Sequence, residues 1–524
     1  MGHETMEHIL LPDGGVVMVM GGLPGWLFGL AVALVVLLSF VVVEVRGLPD
    51  LGSWRLNLTG SKGIHRLLRE RWFQPALQLP FVVVFLGTIY IGLFGSFARN
   101  LAPVLVWTIW WAALIFAVAL LGNLWCLVCP WDALASWITR LGGVFEKKPS
   151  LSLGLKLPSW LANVYPAIAL FVVLTWMELG WGITNNPRQT ATLGLGMVAS
   201  AVGMGLIFEK KAFCQSFCFV GRISGMYSMF SPVEIRPRDS RVCGVCTTRD
   251  CLVGGGAGYA CPVELDLGKM DTQARCTSCT ECFKSCPTLT PAVKLRAFNQ
   301  DVGQSASGRM DEAWLCLTLL ALTGFHGLSM TPTWQNFTPG TWDIVSWISA
   351  WSGLSQLGAF TLGMAAVILV PVLAYTLCIV LAWVWTAKRV AFRELFVGYA
   401  YSVLPVALFY HLAHNAMHLF MEGQDVVPLL SDPMGSGADW FGTATLHLEP
   451  LIGQDTTWYL QVGLICVGHV AGVLASHRIA KRLFPGERGQ AVRSLLPMLV
   501  MMVLLSICGL WLMHLDMNMR TGRM

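Results

Sequence analysis

Charged side chains are scarce in this chain. Only 12% of its 524 residues are Asp, Glu, Lys or Arg, whereas 55% are hydrophobic. An average soluble protein carries about 25% charged residues. No charge lies between Arg99 and Asp132, or between Asp343 and Lys388. Apolar runs of this length exclude a soluble enzyme, a disordered chain and a porin-type barrel, whose short strands alternate in polarity.

The chain also lacks the motifs of several large enzyme classes. It has no phosphate-binding glycine loop, no dinucleotide fingerprint and no nucleophile elbow. The glycine-rich run at 254–258 has no flanking strand-and-helix pattern. We therefore expect the chain to bind neither ATP nor a nicotinamide cofactor, and to receive any electrons it carries from another protein.

The apolar segments predict an all-α polytopic membrane protein in three regions. Residues 1–235 form a five-helix membrane region, 236–309 a polar, cysteine-rich domain, and 310–524 a second five-helix membrane region. The ten predicted spans are 24–45, 79–97, 102–121, 161–182, 190–209, 312–330, 358–387, 395–421, 456–482 and 493–514.

Basic residues are distributed very unevenly over the loops between these spans. Of the 35 Lys and Arg residues, 31 fall in loops on one side and four on the other. Because Lys and Arg stay in the cytoplasm during insertion, the cysteine-rich domain is expected there, with both termini extracytoplasmic. The basic residues orient the chain in the lipid bilayer, and we expect no nucleic-acid partner.

Eight of the sixteen cysteines lie within residues 243–286. The second half of this stretch has the C-x2-C-x2-C-x3-C-P spacing of bacterial ferredoxins, in which the fourth cysteine ligates a different cluster from the first three. This rule predicts two [4Fe–4S] clusters. One set of ligands would be Cys243, Cys246, Cys251 and Cys286, and the other Cys261, Cys276, Cys279 and Cys282. A pair of structural zinc sites is the alternative.

Two further cysteine pairs lie at the cytoplasmic ends of predicted spans. Cys126 and Cys129 follow the third span, and Cys214 and Cys218 follow the fifth. Four thiolates at one depth would hold a third [4Fe–4S] cluster at the membrane surface, with nearby basic residues offsetting its charge. The alternative is four cysteines that only pack between helix ends.

The second membrane region carries histidines inside its predicted spans. His411, His414 and His418 share one helix face, and His469 lies in the middle of the next span. Ionisable groups within spans often have a function. A quinone site, a b-type haem held by His411 and His469, a metal site and a structural role all stay open. The acidic residues that follow the histidines, from Glu422 to Asp455, are expected to form a solvated surface.

The cysteine motifs resemble those of a known family. The segments WCLVCPWDALASW at 125–137 and FCQSFCFVGRISGMYSMF at 213–230, followed by the eight-cysteine stretch, are similar to the membrane-bound polyferredoxins. That family includes the membrane ferredoxin of nitrate reductase systems, the iron–sulfur regulator of nitrous oxide reductase and membrane iron–sulfur proteins of cyclic electron flow. The resemblance covers about residues 75–300. Phe219 stands where the family has proline after the second membrane pair.

The resemblance implies a multi-pass protein of the bacterial cytoplasmic (inner) membrane that transfers electrons. It would relay them between a cytoplasmic donor, such as a ferredoxin-like protein, and the quinone pool or a membrane partner. The chain would then be an electron carrier or part of a ferredoxin:quinone-type oxidoreductase. The alternative function is a redox-sensing regulator or a maturation factor that reduces the metal centre of a partner.

Overall fold

The computed structural model describes residues 6–10, 16–44, 54–141, 150–256, 258–304, 308–336 and 341–518. Within these ranges the chain is mostly helical. The helices are α1 (Gly25–Glu44), α2 (Lys62–Arg69), α3 (Phe73–Phe94), α4 (Leu101–Leu121), α5 (Trp125–Val128), α6 (Pro130–Arg140), α7 (Tyr165–Leu179), α8 (Pro187–Ile207), α9 (Phe219–Tyr227), α10 (Ser240–Gly244), α11 (Asp250–Val253), α12 (Glu281–Ser285), α13 (Gln300–Gln304), α14 (Met310–Ser329), α15 (Ile344–Ser352), α16 (Gln356–Trp385), α17 (Phe392–Ser431), α18 (Gln454–Leu483) and α19 (Arg488–His514).

Seven of the described helices are long and apolar enough to cross a bilayer, namely α3, α4, α8, α16, α17, α18 and α19. This confirms the expectation of a helical membrane protein. The other three predicted spans coincide with helices: α1 and α7 are apolar but shorter, and α14 carries Asp311 and Glu312 in its first turn. The count of ten spans stays a prediction.

The outer faces of the long helices are apolar. On α16, for example, the side chains of Leu369, Val370 and Leu373 are all more than half exposed. Large apolar side chains that point outward along a whole helix are typical of a surface in contact with lipid. By contrast, 94% of the most apolar stretch of α17 is buried, against 17% for α16. Helix α17 therefore lies at the centre of the bundle.

Two short strands close the cysteine-rich segment into a loop. Strand β4 (Val233–Pro237) pairs antiparallel with β5 (Pro291–Arg296), and Val233 lies opposite Leu295. The strand β3 (Arg55–Asn57), which comes from the first cytoplasmic loop of the predicted topology, adds to the other edge of β5. All eight cysteines of the segment lie between β4 and β5 in the sequence, so this sheet fixes both ends of their loop.

The molecule has two opposite faces, which we define by their contacts. The cysteine face holds the loop between β4 and β5. Helix α17 begins at this face, because the Tyr401 hydroxyl near its start donates a hydrogen bond of 2.6 Å to Glu312 Oε2, and Glu312 follows the loop in the sequence. The far face holds the strands β1 (Met6–Leu10), β2 (Val16–Met20) and β6 (Met517–Asn518). Near its other end α17 packs Met421 into a cluster with Met20 and Met513. Helix α17 therefore runs from the cysteine face to the far face.

A buried arginine ties the loop to the membrane helices. The Arg296 side chain, which is fully buried, donates to Glu234 Oε2 at 3.0 Å and also pairs with Asp301. It donates further to the carbonyl oxygens of Ser228 and Ser231, which follow α9. Because its charge and its donors are satisfied from three elements, Arg296 holds β4, β5 and the end of α9 in register.

We predict that Arg296→Ala lowers the thermal stability of the protein strongly. The change removes one cationic partner from each of two buried carboxylates, although Glu234 keeps Arg55 at 2.7 Å and Asp301 keeps Arg236 at 3.5 Å. We therefore expect a loss toward the lower end of the roughly 3–5 kcal/mol that breaking a buried ion pair typically costs. Thermal unfolding in detergent, followed by tryptophan fluorescence, measures the effect. Arg241→Ala is the matched control, since Arg241 pairs with Asp239 on the surface and its side chain is 91% exposed. Equal shifts in Tm for both variants would contradict the assigned role.

Candidate functional site

Two helix starts and the turns before them bring the membrane-edge cysteines together. Cys126 lies on the short helix α5, and Cys129 directly precedes α6, whose first residue is Pro130. Cys214 lies in a π-helical turn, and Cys218 caps α9 by accepting a hydrogen bond from the Gly221 N–H at 3.3 Å. The starts of α6 and α9 both carry partial positive charge from backbone N–H groups, which favours thiolates at these positions.

All four of these cysteines line one cavity of about 350 Å³, which we call the membrane-edge cavity. Gly221 leaves room in it: a Cβ at this position would lie 3.5 Å from Cys218 Sγ and 3.8 Å from Cys126 Sγ. The structure therefore brings together all four cysteines that the sequence placed at the membrane surface. Phe219, at the position of the family's proline, stacks on Phe171 at a ring distance of 6.1 Å and extends α9.

The walls of the membrane-edge cavity carry two buried cations. The Arg222 side chain lies against it, and its Nε and Nη2 atoms have no hydrogen-bond acceptor among the described residues. Lys211 donates to Asp132 Oδ2 at 2.6 Å. Buried polar groups are normally hydrogen-bonded, and an unpartnered guanidinium points to an anionic group. The cavity therefore fits a negatively charged cofactor held by sulfur.

Burial is the largest influence on the pKa of each thiol in this cavity, and it raises all four. Burial raises the pKa of Cys126 to about 12 and that of Cys218 to about 11. A buried thiolate forms only when a metal or another positive charge compensates it. Four cysteine sulfurs are the donors that iron–sulfur clusters and zinc prefer. The chemistry of the donor set thus fits the third cluster that the sequence predicts.

A second cavity, the loop cavity, lies within the cysteine-rich segment. It has a volume of about 410 Å³, and its walls include Cys261, Cys276, Cys279 and Cys282, one of the two predicted sets. Ser278 and Thr280 flank Cys279 with left-handed φ angles of 51° and 61°. Left-handed angles on both sides of Cys279 cost energy and turn the chain tightly. This turn brings Cys276, Cys279 and Cys282 to the wall of one cavity.

The remaining predicted set lies at the outer end of the loop. Burial, followed by the charges that Cys286 and Cys246 carry as thiolates, raises the pKa of Cys243. Cys251 interacts in the same way with Cys286 and Cys243. Cys286, which comes last in the ferredoxin-type run, is thus close enough to Cys243 and Cys251 to influence both thiols. The division of the eight cysteines into two ligand sets stays a prediction.

No three His, Cys, Asp or Glu side chains converge on a single point anywhere in the described parts of the chain. A single zinc ion needs its ligands at one centre. In a cubic cluster each thiolate binds a different iron at a different corner, so the sulfurs surround a volume.

The two cysteine cavities are neighbours. Thr277 lines both of them. Asn123 bridges their ligands, because its amide donates to the Cys276 carbonyl oxygen at 2.7 Å and its Oδ1 accepts from Cys126 Sγ at 3.2 Å. Gln215, beside Cys214, donates to the carbonyl oxygen of Pro262 at 2.8 Å. Cofactors in these cavities would lie side by side.

Asn123 and Asp132, which contact the membrane-edge cysteines, were not predicted as site residues from the sequence. Asp132 is 6% exposed, pairs with Lys211 and lies 3.9 Å from Cys214 Sγ. One pattern could have revealed it: Asp132 is the charge that ends a run of more than thirty uncharged residues, three positions after Cys129. A carboxylate at a helix start beside a metal motif is seldom only structural.

A row of tryptophans, which the sequence analysis also missed, leads from the membrane-edge cavity into the bundle. Trp125 lines that cavity, and its ring centre lies 5.3 Å from that of Trp110. Trp110 lies 6.0 Å from Trp111, which in turn lies 5.8 Å from the ring of His411. Helix α9 runs beside this row, with Cys218 at its start and Tyr227 at its end. The Tyr227 hydroxyl lies 3.2 Å from His411 Nδ1.

His411 lines a third cavity of about 340 Å³, the histidine cavity. Its walls are apolar apart from a few polar groups that include Glu178, Thr323 and His326. His414 and His418 continue from His411 along the same face of α17, with ring centres 4.9 Å apart. Three of the four histidines that the sequence singled out therefore form one group.

His469 does not belong to this group. Its Nε2 lies 2.7 Å from the hydroxyl of Ser39, and its Nδ1 lies 2.9 Å from that of Ser506. The space beside two glycines near His469, which a porphyrin would need, is filled by α17: a Cβ on Gly468 would lie 2.5 Å from Phe409 Cβ, and one on Gly472 2.9 Å from Val406 Cγ2. This geometry argues against a haem between His411 and His469, and it gives His469 a structural role.

A solvated surface was predicted for the acidic residues that follow the histidines. The structure shows that some of these residues are buried. Glu422 Oε2 lies 2.8 Å from His418 Nδ1, and the side chain is only 12% exposed. Asp432, which is 3% exposed, accepts from the backbone N–H groups of Ser436 and Gly437 at 2.8 Å. Local donors satisfy Asp432, and Glu422 is held by the contact of its Oε2 with His418.

Comparison with known proteins gives one partial match. The chain is 33% identical over 103 residues to the protein described as "Putative electron transport protein YccM" from Escherichia coli (strain K12). The match covers 18% of this chain and 26% of YccM, so the chain spans about a quarter of the length of the curated relative it matches. No family model and no solved structure matches. The match points to an electron-transport role.

We predict that Cys246 reacts with iodoacetamide at a lower pH than Cys126 in protein prepared without iron. Hydrogen bonds from the Arg249 backbone and the Thr248 hydroxyl lower the pKa of Cys246, whereas burial raises that of Cys126 to about 12. The thiolate is the nucleophile, so the cysteine with the lower pKa becomes reactive at a lower pH. Mass spectrometry of samples alkylated along a pH series gives the two midpoints. Urea-denatured protein is the control, in which the midpoints should merge; equal midpoints in the folded protein would contradict the prediction.

Proposed function

We propose that the protein is a membrane-bound electron carrier with three [4Fe–4S] clusters. Two of them would bind to the cysteine-rich segment, and the third to Cys126, Cys129, Cys214 and Cys218 at the membrane edge. The observation that carries the proposal is the membrane-edge cavity, where four cysteines from two helix starts face the unpartnered donors of Arg222. The electron-transport description of YccM supports the same role.

The protein would supply position, burial and charge, and the clusters would supply the redox chemistry. Arg222 and Lys211 would offset the negative charge of the membrane-edge site. The N–H of Gly221, which donates to Cys218 Sγ, and that of Leu265, which donates to Cys261 Sγ at 3.4 Å, would withdraw charge from the sulfurs. Such hydrogen bonds tune the reduction potential of a cluster.

The order of the sites would make the protein a relay. The outer cysteines lie toward the surface, the loop cavity shares Thr277 with the membrane-edge cavity, and the tryptophan row continues to the histidine cavity. A cytoplasmic donor such as a ferredoxin-like protein would dock at the cysteine face. Electrons would leave for a quinone or another acceptor in the membrane.

We predict that Cys218→Ala removes about one third of the bound iron, because one of three four-iron clusters loses a ligand. Iron and acid-labile sulfide per chain are measured after anaerobic purification. Cys378→Ala is the control, since Cys378 lies alone on α16 and lines none of the three cavities. An unchanged iron content in the Cys218→Ala variant would contradict the proposed membrane-edge cluster.

We also predict that the purified protein reduces a short-chain quinone with electrons from a reduced ferredoxin. Anaerobic stopped-flow absorbance follows bleaching of the clusters and then formation of quinol. The Cys218→Ala variant should accept electrons but fail to pass them on, because the link to the tryptophan row is missing. If the wild-type clusters are reduced but no tested quinone accepts their electrons, the protein is a redox sensor or a maturation factor instead.

A further inference from the structure

Helix α17 carries a stripe of ionisable residues along one of its faces. The stripe consists of His411, His414, His418, Glu422 and Asp425, which follow one another at intervals of three, four, four and three. Residues at these intervals lie above one another on a helix. The stripe lies on the most deeply buried of the seven long helices. Ionisable groups are costly in such a place and usually have a function there.

The three middle members of the stripe contact one another in sequence. The ring centres of His414 and His418 are 4.9 Å apart, and His418 Nδ1 lies 2.8 Å from Glu422 Oε2. Asp425, one turn further on, is exposed. The stripe therefore reaches from the interior to the end of α17 at the far face.

The inner end of the stripe lies at the histidine cavity. His411 and His326 both line this cavity, and the ring of His326 lies 5.7 Å from that of His414. The ionisable groups that face the stripe from neighbouring helices are His326 on α14, Glu178 on α7 and Tyr227 on α9. His326 Nε2 lies 3.7 Å from Glu178 Oε2. The cavity is thus connected to the far face by polar groups and to the membrane-edge cysteines by the tryptophan row.

Two atoms in the middle of the stripe could each make a further hydrogen bond. His418 Nε2 and Glu422 Oε1 are buried and have no hydrogen-bond partner among the described residues. His418 as a whole is 2% exposed. Buried polar atoms of this kind are where ordered water binds and bridges neighbouring groups. Residues 418–422 also form a π-helical turn, a feature often found at functional sites.

We propose that this stripe is a proton path between the histidine cavity and the far face of the molecule. The proposal rests on the proposed function, since the path serves a quinone-type acceptor that takes electrons from the clusters. Histidine and carboxylate side chains can each bind and release a proton, and together they can pass it on by way of bridging water. Asp425 would be the entrance at the surface.

Quinone reduction would use electrons and protons that arrive by separate routes. Reduction of a quinone to a hydroquinone takes two electrons and two protons, and converts two C=O groups to C–OH groups. The electrons arrive singly from reduced clusters, which a low-potential cytoplasmic donor has recharged. The protons arrive along the stripe. Because the electrons enter from the cysteine face and the protons from the far face, each turnover moves charge across the bundle.

Proteoliposomes test this directly. They contain the full chain, a short-chain quinone and a pH-sensitive dye trapped inside, and reduced ferredoxin is added outside. Ferredoxin does not cross the membrane, so only molecules with the cysteine face outward react. We expect the interior to become alkaline as quinol forms. Proton uptake from the outside only would overturn the proposal.

Substitutions in the stripe identify the path. Glu422→Gln keeps the shape of the side chain and should slow quinone reduction about 100-fold, the usual contribution of a positioned proton-transfer group. The rate at which ferredoxin reduces the clusters, and the iron content, should not change. A small permeant acid such as azide should restore part of the rate, which it would not do for a variant that is merely misfolded.

His477→Gln is the matched control, because His477 lies on α18 outside the stripe and lines none of the three cavities. It should behave as wild type. A Glu422→Gln variant that keeps its clusters and the full rate of quinone reduction would overturn the proton path and leave the proposed function intact. A wild-type preparation without iron would overturn both.

Discussion

A buried positive charge that faces four sulfurs is the constraint on which the rest of the structure depends. Arg222 lies on α9, one turn after Cys218, and is almost fully buried. A guanidinium in such a place needs an anion, because uncompensated burial of a charge costs several kcal/mol. Cys126 and Cys129 come from α5 and the start of α6, and Cys214 and Cys218 from the segment before α9. An anionic cluster would satisfy the charge and join these segments in one step.

Helix α9 also links the membrane-edge cavity to His411 in the interior of the bundle. From Cys218 to Tyr227 α9 rises about 14 Å, at 1.5 Å per residue. At its end the Tyr227 hydroxyl contacts His411, and the tryptophan row reaches the same histidine from the other side. The cysteine loop is held to α5 by Asn123, to the turn before α9 by Gln215, and to the end of α9 by Arg296. The fold thus places the cysteine segment, the membrane-edge cavity and the histidine cavity one after another across the bundle.

Much of this could be predicted from the sequence where the determinants are local. Runs without charge predicted the long helices, and the cysteine spacing predicted that Cys261 shares a cavity with Cys276, Cys279 and Cys282. Contacts between distant residues could not be predicted in this way. Ser39 and Ser506 satisfy His469 from helices far away in the sequence, and Phe409 fills the space beside Gly468, so an isolated histidine–glycine pattern was misleading. Glu422 was predicted to lie on the surface. Its burial beside His418 could not be predicted, because the burial of this helix depends on the packing of the whole bundle.

The central claim is that cysteines hold three iron–sulfur cubes, one of them at the membrane edge. The most direct measurement is iron, acid-labile sulfide and EPR on anaerobically purified protein, before and after reduction with dithionite. The account predicts a brown protein with about twelve irons per chain and reduced signals from three clusters that couple to one another. A colourless protein, or one that contains zinc in place of iron, would contradict it.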